Sequence, residues 1–315
     1  MRISDVSWSV ESTASVFADR VAVLDGDCLH DYATLWEAVG LFAAELDAAG
    51  VRAGQRVAVY IGSGYESLLT LLAVEHLGAV AVPLDIFGPV EHAVRTLHAT
   101  GADHLIGHVG DGDLVEELAE DPVATGASVV TVADDYTLIR LWRSQRVAPS
   151  HREGGFAFCL PGSAGAMTVG STTLAAAAGE LCADLPITAE DVVAVTAPLT
   201  ERAAITAVLA AVRAGACLSL RRYSGVDPVL VAEQLGEDDA TVLACSSEAL
   251  CALRAAGLGV PSAVRVLALS PEAPTPAVPV AEAPLCRPRG GSDAARSRPA
   301  RSGRRASACA TRDSD

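Results

Sequence analysis

The chain contains no lysine: all 23 of its basic residues are arginine. Chemistry that needs a side-chain amine to titrate or to form a Schiff base is therefore excluded, because a guanidinium stays charged. Aromatic residues make up only 4% of the sequence, so a core must be packed from Ala, Val and Leu, which a half-apolar composition supplies. The eight cysteines include no CxxC pair, which argues against a zinc or disulfide framework. FAFCL and VLACS set several of them in apolar strands, and buried free thiols are expected. No apolar run has the length and purity of a membrane span, and residues 1–10 hold no basic segment followed by an apolar one. A soluble cytoplasmic protein with no membrane partner is expected.

What is present is an alternation. Residues 12–20 read as a helical lead-in and VAVLD as a short strand turning at Gly26. Asp31 is placed to cap a helix whose apolar stripe recurs at Leu35, Val39, Phe42, Leu46 and Ala49, with Gly50 closing it. Strands are expected at 56–61, 80–84, 104–106 and 128–132, with helices at 66–76, 90–99 and 114–120 between them. Residues 137–153 are polar and arginine-bearing and read as a surface link. A second set follows, with strands at 192–196, 217–220, 241–245 and 264–269 and helices at 203–215, 228–235 and 247–256. Strands separated by helices imply βαβ crossovers and parallel-rich sheets. The expectation is an α/β fold of two parallel-rich βαβ subdomains, residues 1–150 and 151–270, with a tail at 271–315.

Between the two sets lies GGFAFCLPGSAGAMTVGSTTLAAAAGELCADL, residues 154–185. It reads as a buried strand, a small-residue loop at 161–165, and a helix from Ser171 with Ser171 or Thr172 as its cap. Strand, glycine loop and helix gather backbone N–H groups around a phosphate, although most such loops are only connections. Other chemistry finds less support. His104 and His108 stand near Asp103 and Asp111, but across a strand end and a loop, and a surface cluster is the simpler reading than a metal site. No serine lies in G-x-S-x-G, which leaves a hydrolase triad unsupported. GSGY at 62–65 lacks the third glycine of a dinucleotide fingerprint. No catalytic residue and no metal ligand is assigned.

Residues 29–85, LHDYATLWEAVGLFAAELDAAGVRAGQRVAVYIGSGYESLLTLLAVEHLGAVAVPLD, resemble the N-terminal part of the adenylate-forming superfamily. That family holds acyl-CoA synthetases, fatty acyl-AMP ligases and the adenylation domains of peptide synthetases. Its "TYAEL", "G(V)xxGDxVAVxLxNSxE" and "LLAxxxAGAVxVPLD" segments are followed in order, and the resemblance extends over residues 10–270. The resemblance implies acid activation with ATP and Mg²⁺ to an acyl-adenylate, then transfer to CoA or a carrier-protein thiol. It also makes GSGY the structural corner written "NSxE".

The family's ATP loop, [ST]SGTTGxPKG, falls on PGSAGAMTV. Gly162, Ser163 and Gly165 match its Gly, Thr and second Gly, and are the cofactor-binding residues the resemblance implies. Pro161, Ala164, Met167 and Thr168 replace a hydroxyl residue, a Thr, the Pro and the Lys, so weak or absent ATP binding is expected. In the Pro-Leu-x-His turn, Glu201 takes the place of the His. The simplest role for Glu201 is in the first turn of a helix, where a carboxylate suits the dipole.

From Pro284 onward there are eight Arg against three acids, on a body of 15 Arg against 36 acids. The Pro-, Ala-, Arg- and Ser-rich tail has the composition of disorder, and reads as a frameshifted or truncated gene reading in preference to a nucleic-acid arm. The family's "YGxTE" and "YxxGD" segments and its lysine-bearing C-terminal domain have no counterpart here. The expected function is a truncated, catalytically impaired acid-activating ligase. A non-catalytic partner subunit, docking on a full-length ligase or forming a homo-oligomer, and a degraded gene product are the alternatives. The strand at 264–269 is expected to be an unfinished sheet edge.

Overall fold

The computed structural model describes residues 4–62, 64–108, 128–133, 136–141, 154–159, 165–220, 227–269 and 274–276. The helix expected at 114–120 and the loop residues Gly162 and Ser163 lie outside the described residues.

Alternate residues of the central strands face different layers, as a period of two requires. In β3 (Arg56–Tyr60), Val57 and Val59 join the largest core cluster, while Ala58 and Tyr60 join a second one on the other face. Both faces of the strand are therefore buried, which is why such segments read as continuous apolar runs.

The first sheet also holds β4 (Val80–Pro83), β5 (His104–His108), β6 (Ser128–Ala133), β7 (Tyr136–Arg140), β8 (Gly155–Cys159) and β9 (Ala166–Gly170). Its order is β6-β7-β5-β3-β4-β8-β9, parallel across β5, β3, β4 and β8 and antiparallel at both margins.

The second sheet is built from β1 (Val21–Asp25), β2 (Cys28–Asp31), β10 (Val192–Val195), β11 (Cys217–Ser219), β12 (Val242–Ser246), β13 (Arg265–Leu269) and β14 (Pro274–Pro276). Its order is β14-β13-β12-β10-β11-β1-β2, again with a parallel centre.

Eight helices are described: α1 (Asp5–Val16), α2 (Tyr32–Ala48), α3 (Tyr65–His76), α4 (Val90–Thr100), α5 (Ser171–Asp184), α6 (Arg202–Ala214), α7 (Pro228–Glu237) and α8 (Ser247–Ala255). The stripe on α2 is buried as expected, with Asp31 as N-cap accepting from Thr34 N–H at 2.7 Å. Helices α1, α2, α3, α5 and α6 contribute to the largest core cluster, which also takes one face of each sheet. Helix α4 covers the other face of the first sheet, and α7 and α8 cover that of the second. Within the central layer, every residue of α6 from Ala203 to Val212 is buried, and all of them but Thr206 are apolar.

The sheets are not consecutive in sequence. Strands β1 and β2 sit with residues 192–276, through β1–β11 pairing of Val23 with Leu218, and β8 and β9 sit with residues 56–140. The division at residue 150 is thus not a division between sheets.

Several other expectations are corrected. Residues 136–140, read in large part as a surface link, form β7, with Leu138 and Ile139 buried between β5 and β6. Pro274–Pro276, assigned to the tail, pair antiparallel with β13, so that strand is not an open edge. The remainder of the tail lies outside the described residues. Of the cysteines, Cys245 is fully buried, Cys28 is exposed, and Cys159, Cys182, Cys217 and Cys251 are intermediate.

The GSGY corner is tightly built. Gly64 has φ +148°, and a Cβ there would lie 2.7 Å from Asp25 Oδ2. The same carboxyl accepts from Tyr65 N–H at 3.0 Å, tying β1 of the second sheet to the start of α3. Only glycine fits that approach.

Candidate functional site

The glycine loop is not followed directly by a helix. Residues 166–170 form β9, antiparallel to β8, and α5 begins only at Ser171, with Gly170 as N-cap and no side-chain cap. The anion-binding argument from a helix N-terminus does not apply to this loop. Ser171 Oγ instead donates to Glu75 Oε1 within the core. The hairpin is packed closely at its base, where a Cβ on Gly155 would lie 2.3 Å from Val169 O.

Of the three residues assigned to the cofactor, Gly165 is described, exposed at the entry to β9. On β9, Met167 stands opposite Phe158 and Thr168 opposite Ala157. Met167 and Thr168 therefore occupy opposite faces, and Ala157 belongs to the cluster on the α4 side.

A cleft of about 250 Å³ opens where β4, β8 and β10 end. One wall comes from the end of β4 and from α4, with Leu84, Asp85, His92 and Ala93. The hairpin supplies Phe158, Cys159 and Met167, and the β10–α6 turn supplies Thr200, Glu201 and Arg202. The carboxyl ends of parallel strands are where open α/β sheets bind ligands, because the strands end there and the loops diverge. Sequence reading singled out Met167 and Glu201 separately, and the fold brings them to one cleft. It gave no role to Cys159, Arg202, His92 or Asp85.

Glu201 is the N-cap of α6, one position before the first turn in which it was expected, and its side chain makes no capping bond. Burial pushes its carboxyl above the usual range, and Glu248 in the first turn of α8 adds to the shift. Arg202 Nε is buried with no hydrogen-bond partner. Asp85 is engaged locally, accepting from Phe87 N–H at 2.9 Å.

The histidine cluster resolves differently from its expected surface setting. His104 is buried at 1% exposure, with Nε2 at 3.1 Å from Gln55 Oε1. Burial foremost, with the Arg140 charge beside it, lowers its pKa to about 4. Asp111 lies outside the described residues.

Residues 10–154 match the family model described as AMP-binding enzyme. The two-sheet body around them has the fold of the N-terminal subdomains among the solved structures it resembles. Among curated relatives, the hybrid PKS-NRPS synthetase mycA of Thermothelomyces thermophilus is 35% identical over 122 residues, covering 36% of this chain and 3% of that protein. The dapdiamide synthesis protein DdaD of Enterobacter agglomerans is 32% identical over 118 residues, 38% of this chain and 20% of its own length. The match thus spans a small part of either relative. Among solved structures, the N-terminal subdomain of Klebsiella oxytoca NpsA in complex with 3-hydroxybenzoyl-AMSN has a TM-score of 0.59 at 22% identity, over 78% of this chain and 60% of that one. A putative long-chain-fatty-acid CoA ligase from Rhodopseudomonas palustris reaches 0.68 at 17% identity, over 84% and 69%. Among the described residues, no helix is long and apolar enough to cross a membrane.

Proposed function

We propose that this chain is the acid-binding region of an AMP-forming carboxylic acid–thiol ligase whose nucleotide step is impaired. The observation that carries the reading is the cleft at the ends of β4, β8 and β10, with the glycine-loop hairpin on one wall and apolar Leu84, Ala93, Phe158 and Met167 on its lining. An apolar pocket with a few polar groups is what a carboxylic acid awaiting activation needs.

ATP with Mg²⁺ is the co-substrate of that reaction class, and CoA or a carrier-protein thiol the acceptor. The described donor set fits a magnesium triphosphate poorly. Glu201 and Asp85 line the cleft and the Glu248 charge acts on Glu201, against one guanidinium, Arg202. Thr168 on β9 offers a hydroxyl where the resembled loop has an ammonium. Adenylyl transfer relies on cations to neutralise the charge that develops at phosphorus, and each lost donor typically costs about 10²-fold or more. The acid is bound and the activation is weakened. A cytoplasmic setting, where ATP and CoA are available, goes with the same reading.

A second reading, a non-catalytic subunit docked on a full-length ligase or on another copy, is favoured by β2. It is an edge strand carrying Leu29 at 64% exposure. Cys159 gives a test of the first reading. An acid seated in the cleft slows maleimide labelling of Cys159, read peptide by peptide, while ATP and Mg²⁺ alone leave it unchanged. Labelling that no carboxylic acid slows would remove the acid-binding assignment.

A further inference from the structure

The β8–β9 hairpin carries Phe158, Cys159 and Met167 to the cleft, yet the first sheet pairs with it at its base alone. The β4–β8 ladder joins Val80 to Gly155 and Ala81 to Phe156 and stops there. A proline explains the stop. Val80 and Leu84 donate to Gln55 O and Val59 O on the β3 side, so alternation along the strand aims position 83 at β8. Pro83 has no N–H to give, and the ladder cannot be extended from it. Beyond Phe156 the hairpin pairs with itself, out to Cys159 and Ala166.

The base is seated on the end of α3. A Cβ on Gly154 would lie 2.9 Å from Glu75 O and 3.1 Å from Gly78 Cα, so the residue before β8 rests directly on that helix end. Ser171 N–H donates to Gly154 O at 3.0 Å, and Ser171 Oγ donates to Glu75 Oε1. The first side chain of α5 thus ties the exit of the hairpin to α3. Glu75 has no exposed surface, and its carboxylate is tolerated there because each oxygen accepts from a seryl hydroxyl, Ser171 on one side and Ser7 on the other.

We propose that Glu75 is a positioning residue for the cleft: through Ser171 it holds the hairpin base, and so sets where Phe158, Cys159 and Met167 stand against the α4 wall. This rests on the reading of the cleft as an acid site and adds a residue outside its lining to those that shape it. The three cleft residues lie about 10–13 Å beyond the base at about 3.3 Å per residue, so a tilt of about 5° there shifts them by about 1 Å. A shift of that size alters the fit of a small acid in a cleft of about 250 Å³. Ala157 packs with the α4 cluster, and Phe156 and Phe158 pack in the central layer. Those contacts resist the tilt without setting an angle, because apolar attraction is non-directional. The hydrogen bond at the base supplies the direction.

The test compares Ser171→Ala with Ser7→Ala, each of which removes one of the two bonds to the same carboxyl. Glu75→Gln is the conservative variant, since an amide accepts from one hydroxyl and donates to the other. Three quantities are read on the full chain: hydrogen exchange of peptides from residues 154–159 and 165–171, the rate at which maleimide labels Cys159, and benzoate affinity by calorimetry. In Ser171→Ala the hairpin amides are expected to exchange about fivefold or more faster, the shift that one lost buried hydrogen bond gives. Cys159 labels faster as well, and benzoate binds more weakly. Ser7→Ala is expected to loosen α1 peptides and to leave all three quantities within about twofold of the unmodified chain, as is Glu75→Gln. Circular dichroism and melting midpoint confirm that each variant is folded. Unchanged hairpin exchange and Cys159 labelling in a folded Ser171→Ala overturn the proposal. An equal response in Ser7→Ala overturns it too, because Glu75 would then serve stability alone. If benzoate fails to protect Cys159 in the unmodified chain, the acid-site reading falls, while exchange and labelling without ligand still decide whether Glu75 holds the hairpin.

Discussion

Ser171 Oγ donates to Glu75 Oε1, joining the first residue of α5 to the end of α3 across 96 positions of sequence. The other carboxyl oxygen accepts from Ser7 Oγ of α1 at 2.8 Å, and Glu75 itself has no exposed surface. Three helices of the central layer therefore converge on one carboxyl. Such a junction fixes how the helices pack, because each buried hydroxyl has its partner there.

Glu75→Ala is expected to destabilise the chain by about 2–3 kcal/mol, since it strands two buried hydroxyls and opens a small void. Ser7→Ala should cost about 1 kcal/mol. Chemical denaturation of the single and double variants measures this. The Ser7→Ala and Glu75→Ala losses should not add, because both remove the same bond. Simple additivity would show that the hydroxyls find other partners.

Asp191 performs a similar task at the start of β10. It accepts from Thr241 Oγ1 at 2.7 Å, from Thr188 N–H at 2.7 Å and from Arg265 Nη2, which brings three strand ends together. Burial raises its pKa, but the hydrogen bonds from Arg265, Thr241 and Thr188 outweigh this and leave it lowered. A depressed carboxyl contributes stability above its unfolded pKa and loses it as pH falls through the folded value. Asp191→Asn is expected to cost about 2 kcal/mol at pH 7 and progressively less below pH 4. A stability difference that stays constant from pH 7 to pH 3 would contradict this.

His104 gives a dependence of the same sign in a higher pH window. Its folded pKa of about 4 lies below the unfolded value, so the unfolded chain binds a proton first as pH drops from about 6.5. Stability should therefore decline between pH 6.5 and 4, by up to about 1.4 kcal/mol for each pH unit crossed. His104→Leu is expected to be less stable at pH 7, through loss of the Gln55 contact, but to show a shallower decline with acid. Parallel melting curves from pH 7 to pH 4.5 test the sign. An unchanged slope in the variant would place the acid sensitivity elsewhere.

Much of this body is legible from local pattern. Leu35, Val39, Phe42 and Leu46 announce α2, and Asp31 announces its start, because both signals live within one or two helical turns. β7 was missed because TLIR ends in Arg140, and a charged strand end reads as a linker until a neighbouring strand is known to cover Leu138 and Ile139. β9 was missed for a related reason. AMTVG is short and follows glycines, and only its pairing with β8 makes it a strand. Membership of β1 in the second sheet depends on contact with Leu218, which no window around Val23 contains. The cleft was half legible. Met167 and Glu201 stood out against the resembled motifs, whereas Cys159 and Arg202 gain meaning only when three strand ends meet.

The central claim, an acid-binding cleft beside an impaired nucleotide step, is tested most directly by acid-dependent ATP–pyrophosphate exchange on the purified chain. Hydroxybenzoate, benzoate, an amino acid and a fatty acid would each be supplied with Mg²⁺ at concentrations that protect Cys159 from labelling. The account predicts exchange no higher than the no-acid control for every acid, including those that protect the thiol. Exchange above that control with any acid would show that the loop bearing Gly165 and Thr168 still activates its substrate, and the impairment would have to be abandoned.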